Sequence, residues 1–149
     1  CRSQAADDPR RCRKETRHSG LGMAGIRRIH SSGPYESRIG YCRATVANGM
    51  VFVSGTVAGG PDVPPDVVEQ CKSALSIIQT ALTEAGASFA DVVRVNYILP
   101  DMNDFEPCWP LLQSTFGKNP PAAMMIQSNL IDPKYKIEIE VTACLPSAQ

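Results

Sequence analysis

Between Tyr135 and Ala143 apolar and polar positions alternate: Ile137, Ile139, Val141 and Ala143 point one way, Lys136, Glu138, Glu140 and Thr142 the other. Alternation of this length predicts a strand with one apolar and one polar face. The segment Ala122 to Asn129 is also extended, and a turn through Asp132-Pro133 joins the two. The polar face of the last strand carries two carboxylates, which reach either bulk water or a polar pocket.

Earlier in the chain, Ile39 to Val46 and Met50 to Ser54 read as short strands, and Ala47-Asn48-Gly49 between them supplies the positive-φ residues of a tight hairpin. Tyr41, Arg43 and Thr45 share a face of the first strand. The second is apolar on both faces, Met50 and Phe52 against Val51 and Val53, so both sides require cover. Ser54-Gly55 ends it, where glycine lets another group approach the backbone or simply permits the turn. A Gly/Pro loop from Gly59 to Pro65 leads into one long helix, about Pro65 to Ala85. On it Val68, Cys71, Ala74 or Leu75, Ile78 and Leu82 recur at helical spacing, and Gly86 stops it. Val92 to Leu99 is a nearly continuous apolar run, as expected of a strand inside a sheet. Asn103 and Glu106 look like a capping pair for a second helix bearing Phe105, Trp109, Leu112 and Phe116. Pro107 suits its first turn, and Pro110 distorts a helix that begins so early.

The predicted order is β-β-α-β-α-β-β, an α+β sheet with both helices on one face. Two helices cover only one face, while the strands at Met50 to Ser54 and Val92 to Leu99 are apolar on the other as well. Another copy of the chain is the simplest cover, which predicts a closed homo-oligomer.

Length and charge narrow the partners. A chain of 149 residues with 43% apolar content is one domain's worth, long enough to bury a real core. Of fifteen basic and fifteen acidic residues, eight and three lie at or before Gly33, leaving seven and twelve for the remainder. An acidic domain lacks the Lys/Arg clusters that phosphate binding needs, so nucleic acid is not an expected partner. No run approaches the ~18 apolar residues of a membrane span, so no membrane partner is expected either. Residues 1–22 are polar, Arg-rich and aperiodic, and read as a disordered basic tail before a domain over 23–149. A transit peptide, an upstream extension or a functional basic arm would each account for it, and Asp7, Asp8 and Glu15 count against the first. Cys1, Cys12, Cys42, Cys71, Cys108 and Cys144 are scattered, with no Cys-x-x-Cys pair and no zinc spacing. Scattered thiols suggest a reducing compartment, disulfides being the other reading. The expected location is the cytoplasm, with the mitochondrial matrix as the alternative.

From about Ile29 to Pro146 the chain resembles the reactive intermediate deaminase family, called Rid, RidA or YjgF and also known as the L-PSP endoribonuclease family. The matching pieces are VFVSGTVA at Val51 to Ala58, EAG at Glu84 to Gly86, and DMNDFEPCW at Asp101 to Trp109. NPPAAM at Asn119 to Met124 and KIEIEVTA at Lys136 to Ala143 continue them. The resemblance implies a chorismate-mutase-like α+β fold assembled as a homotrimer, with a small pocket at each subunit interface. It also implies hydrolysis of imines, the tautomers of enamines, to a 2-keto acid and ammonia without a cofactor.

By the same resemblance the family's tyrosine falls on Tyr41, its serine-glycine pair on Ser54 and Gly55, and its water-orienting glutamate on Glu138. Its substrate-clamping arginine falls on Ala123, its helix asparagine on Trp109 and its cysteine on Met125. A methyl group cannot hold a carboxylate, and losing a desolvated bidentate pair costs about 2–5 kcal/mol. Arg43, on the expected face of Tyr41, is the candidate replacement; the other reading pairs it with an acidic residue across an interface. Ser54 has no His or Lys near it in sequence to activate it, and His18 and His30 both precede the strands expected to form the domain proper. Three functions follow: an imine or enamine deaminase, a non-catalytic metabolite-binding trimer, and the ribonuclease or translation inhibitor of the family name. The acidic domain and the missing acid–base pair make the third the poorest fit.

Overall fold

A computed structural model of the chain describes residues 25–147. The expected tail and its boundary at Met23 lie outside the described residues. Six strands, β1 (Arg27–Ile29), β2 (Ala44–Ala47), β3 (Met50–Thr56), β4 (Val92–Leu99), β5 (Ala122–Gln127) and β6 (Glu138–Cys144), form one sheet in the order β1-β2-β3-β6-β4-β5. Every pairing is antiparallel except β4 with β5. The helices are α1 (Glu36–Ile39), α2 (Val67–Ala85) and α3 (Trp109–Phe116).

Local chemistry explains the punctuation. Asn48 and Gly49 both have positive φ, 50° and 75°, and so close the β2–β3 hairpin with the twist that its strands require. The Asp66 side chain caps α2 by accepting from the Glu69 N–H at 3.0 Å, and Gly86, at φ 93°, turns the chain out of the helix. The apolar stripe of α2 (Val67, Cys71, Ala74, Leu75, Ile78, Ala81, Leu82) packs on Val51, Val53, Val95, Ile139, Val141 and Ala143 of the sheet. Burial of the alternate residues of β6 follows the predicted pattern from Ile137 to Ala143.

Four expectations need correction. A first strand, β1, was not foreseen, and Ile39 closes α1 rather than opening a strand, because Gly40 at φ 89° ends a helical turn there. The strand expected from Ile39 is therefore only Ala44–Ala47. Asn103 and Glu106 do not cap a helix. Asp101 caps a 3₁₀ turn by accepting from the Asn103 N–H at 2.9 Å, and α3 begins only at Trp109, so Pro110 sits in a first turn where a missing N–H costs nothing. The turn at Asp132 is present, with Lys134 N–H donating to the Asp132 carboxylate at 2.9 Å. It joins strands that flank β4 rather than each other.

β1 also fastens α2. Arg27 donates to the Glu84 and Ala85 carbonyls at 3.1 and 2.7 Å, satisfying acceptors that the helix C-terminus leaves open. Arg27→Ala is expected to lower unfolding stability by about 1–2 kcal/mol, read from the urea midpoint.

The face opposite the helices is open. Phe52 on β3 is 48% exposed, and Met124 and Ile126 on β5 are 45% and 43% exposed. Register places Phe52, Thr142, Arg94 and Ala122 in one row across this face, with Asn96, Glu140 and Met124 in the next.

Candidate functional site

The ladder between β3 and β6 slips between Val53 and Thr56, which leaves Ser54 and Gly55 without partners on β6, while the Ser54 N–H donates to the Arg43 carbonyl at 3.0 Å. Arg43 fills the space beside it. Its Nη1 donates to the Gly55 carbonyl at 3.1 Å and to Thr56 Oγ1 at 2.8 Å, with the Ser54 carbonyl at 3.5 Å. Its Nε is buried without a partner among the described residues. The guanidinium lies 5.7 Å from the Tyr41 ring centroid, a cation–π contact. Tyr41 itself stands in the turn after Gly40 rather than on a strand. The Ser54 hydroxyl donates to the Cys42 carbonyl at 2.7 Å, so it is an acceptor toward anything above it.

Glu138, at the start of β6, completes this group. It faces the open side of the sheet, opposite Ile98. Its carboxylate is pressed against Gly55 so closely that any side chain there would collide with it. Burial lifts its pKa above the usual carboxylate value, Glu140 adds to the rise, and the nearby Arg43 charge opposes it; no hydrogen bond contributes. A half-buried carboxylate of that kind can accept a proton from a bound water.

The other three expected residues lie elsewhere in the chain. Ala123 and Met125 pair with Val95 and Tyr97 and therefore lie on the helix-bearing face, at the β5 edge. Trp109 is on that side too. With Tyr97, Phe105, Leu112, Phe116 and Pro120 it lines a mainly apolar hollow of about 380 Å³. Tyr41, Arg43, Ser54, Gly55 and Glu138 are brought together; Ala123, Met125 and Trp109 are not brought to them within the chain.

Sequence reasoning left out one further group. His30 directly follows β1, ahead of the first strand that the sequence predicts. Its Nδ1 lies 3.2 Å from a carboxylate oxygen of Glu36, whose side chain is only 6% exposed. The Ser31 N–H donates to both Glu36 oxygens at 3.0 and 3.1 Å, and the Ser31 hydroxyl donates as well. Burial pushes the Glu36 carboxyl up, but these bonds from Ser31 and His30, helped by Arg43, outweigh it and hold the pKa below the usual value. Gly33-Pro34 was the signal available, a turn dipeptide able to fold Glu36 back on His30.

Comparison with known proteins places this geometry. The family model described as Endoribonuclease L-PSP matches residues 31–145. The chain belongs to the RidA/YjgF family. A RutC family protein of Pyrococcus abyssi is 33% identical over 107 residues, covering 69% of this chain and 84% of the relative. The 2-iminobutanoate/2-iminopropanoate deaminase of Capra hircus is 32% identical over 123 residues, 79% of this chain and 90% of that enzyme. Among solved structures, a YjgF/YER057c/UK114 family member from Mycobacterium tuberculosis is 33% identical. It superposes with a TM-score of 0.75 over 81% of this chain and 100% of that one. The mixed sheet with helices on one face is thus the chorismate-mutase-like α+β arrangement of the RidA/YjgF family, and β1 precedes the matched span.

Proposed function

We propose that this chain assembles as a homotrimer whose subunit interfaces hold a small-molecule pocket, and that the pocket hydrolyses an imine or enamine to a carbonyl compound and ammonia. The observation that carries the reading is Glu138, a half-buried carboxylate with a raised pKa set against the open backbone of Gly55. Relatives named as 2-imino acid deaminases supply the reaction class. Glu138 removes a proton as water adds to the imine carbon; the C–O bond forms and the C=N electron pair moves to nitrogen. Glu138 returns that proton to the nitrogen, giving the carbinolamine; it then takes the carbinolamine hydroxyl proton as C=O forms and passes it to the nitrogen as the C–N bond breaks, so both protons of the water leave with ammonia.

Two features support an interfacial pocket. The exposed Phe52, Met124 and Ile126 require cover. Ala123 and Met125 occupy the face of the sheet opposite Glu138, so a pocket drawing on both groups needs two copies. Arg43 commits its Nη1 to its own chain, to the Gly55 carbonyl and Thr56 Oγ1, while its Nε has no partner among the described residues.

Ala123 offers no charge to a substrate carboxylate, which favours an imine without one or a carboxylate held elsewhere. It is also the observation behind the alternative, a trimer that binds a metabolite without turnover. Iminopropionate generated in situ by an amino-acid oxidase separates the two when ammonia release is followed with this protein and with Ala123→Arg. The expected result is weak acceleration by the native chain and about 30-fold or more improvement in the variant. No acceleration by either would leave the binder, and sedimentation as a monomer would remove the interface.

A further inference from the structure

The hollow of about 380 Å³ beside α3 has a volume within the range of small-molecule sites. Aromatic rings form its walls and hold one another in place. Tyr97 and Phe105 stand with centroids 5.2 Å apart, and Phe105 meets Trp109 nearly at right angles at 6.2 Å. Phe116 is braced edge-on by Phe89 at 5.4 Å. Rings paired in this way fix the shape of the space between them. Among the described residues the lining holds no charged side chain; its polar ones are the Tyr97 hydroxyl and the Gln113 amide.

The rim is apolar as well. Met125 pairs with Tyr97 across the parallel β4–β5 ladder and shares its face, so it stands next to the hollow, with Ala123 two residues away on that face. Trp109 and Met125 are 52% and 43% exposed. A half-open indole offers a flat group a stacking surface, and a thioether adapts to its edge. A charged group seated here would lose hydration and find no opposite charge, so the complementary occupant is neutral and planar. We propose that Trp109 and Met125 select imines bearing a planar apolar side chain, which seats in this hollow while the C=N carbon meets Glu138. This selectivity rests on the reading above, in which Ala123 and Met125 of one copy meet the Glu138 group of another.

Imines generated in situ from phenylalanine and from alanine by an amino-acid oxidase carry the same carboxylate and differ only in the side chain. The phenylalanine-derived imine is expected to be hydrolysed about ten-fold or more faster at sub-saturating concentration, and Trp109→Ala to lower that ratio to about two or less. Trp109→Phe should restore part of the preference. Binding is read separately from turnover. Trp109 is the single tryptophan of the chain, so its emission reports on the hollow directly. Phenylacetamide should shift that emission saturably to shorter wavelength, acetamide should not, and Met125→Lys should weaken the response about ten-fold. The proposal is overturned if phenylacetamide leaves the emission unmoved, as it would were the hollow covered by a neighbouring copy, or if the native chain hydrolyses the two imines at equal rates. A saturable shift alongside no hydrolysis of either imine would keep the hollow as a site for a planar apolar group and discard the deaminase reading; hydrolysis with no shift and no preference would do the opposite.

Discussion

Glu138→Gln is expected to lower imine hydrolysis by about 10²- to 10⁴-fold, the usual contribution of a positioned proton acceptor. The amide keeps the size and the contact with Gly55 but cannot take a proton from water. The accompanying pH behaviour is specific to this group. Burial raises its folded-state pKa above the unfolded value, with Glu140 adding to it. The acid limb of the rate profile should therefore lie above that of an ordinary carboxylate, since only the ionised form is a base. For stability the sign is reversed from that of a salt-bridged acid. A raised carboxylate pKa favours the fold below the unfolded-state pKa, and that advantage is lost as pH rises through the folded one. At neutral pH the ionised carboxylate thus weighs against folding, and Glu138→Gln should match or exceed the native melting temperature while losing activity. A variant that melts lower and keeps its rate would remove Glu138 from the chemistry and make it a structural residue.

Much of this was legible in the residues. The alternation from Ile137 to Ala143 depends only on period two, and the buried face of β6 follows it. Asn48-Gly49 and Gly86 announced their turns because few residues tolerate positive φ. What escaped was set by distant contacts. β1 is three residues long, too short for any periodicity, and exists because its backbone pairs with β2 and its Arg27 meets the end of α2. Tyr41 and Arg43 were expected to share a strand face; they do meet, but as ring and cation across a turn. That β5 turns Ala123 away from Glu138 depends on its parallel pairing with β4, which no local pattern encodes.

Gln70 is the clearest case of a residue that sequence passes over. It stands in α2 between Glu69 and Cys71, where a polar residue ordinarily meets water, yet it is fully buried. Its Nε2 donates to the Pro64 carbonyl at 2.8 Å and to the Lys134 carbonyl at 2.9 Å, while its Oε1 accepts from the Lys136 N–H at 2.8 Å. One side chain therefore satisfies three backbone groups, holding the loop before α2 and the segment that runs into β6. Gln70→Leu fills nearly the same volume and leaves all three groups without partners. Each buried orphan costs about 1–3 kcal/mol, so a loss of about 3–5 kcal/mol is expected, a large part of the ~5–15 kcal/mol available to a domain. The melting temperature should fall by roughly 6–20 °C. Hydrogen exchange identifies the cause: the Lys136 amide should lose protection in the variant before the centre of β6 does. Because Glu138 follows two residues later, hydrolysis should decline as well, through loss of its position. A midpoint shift below ~1 kcal/mol would mean that water replaces the amide in that space, and the loop would then be held by its own Asp132 turn.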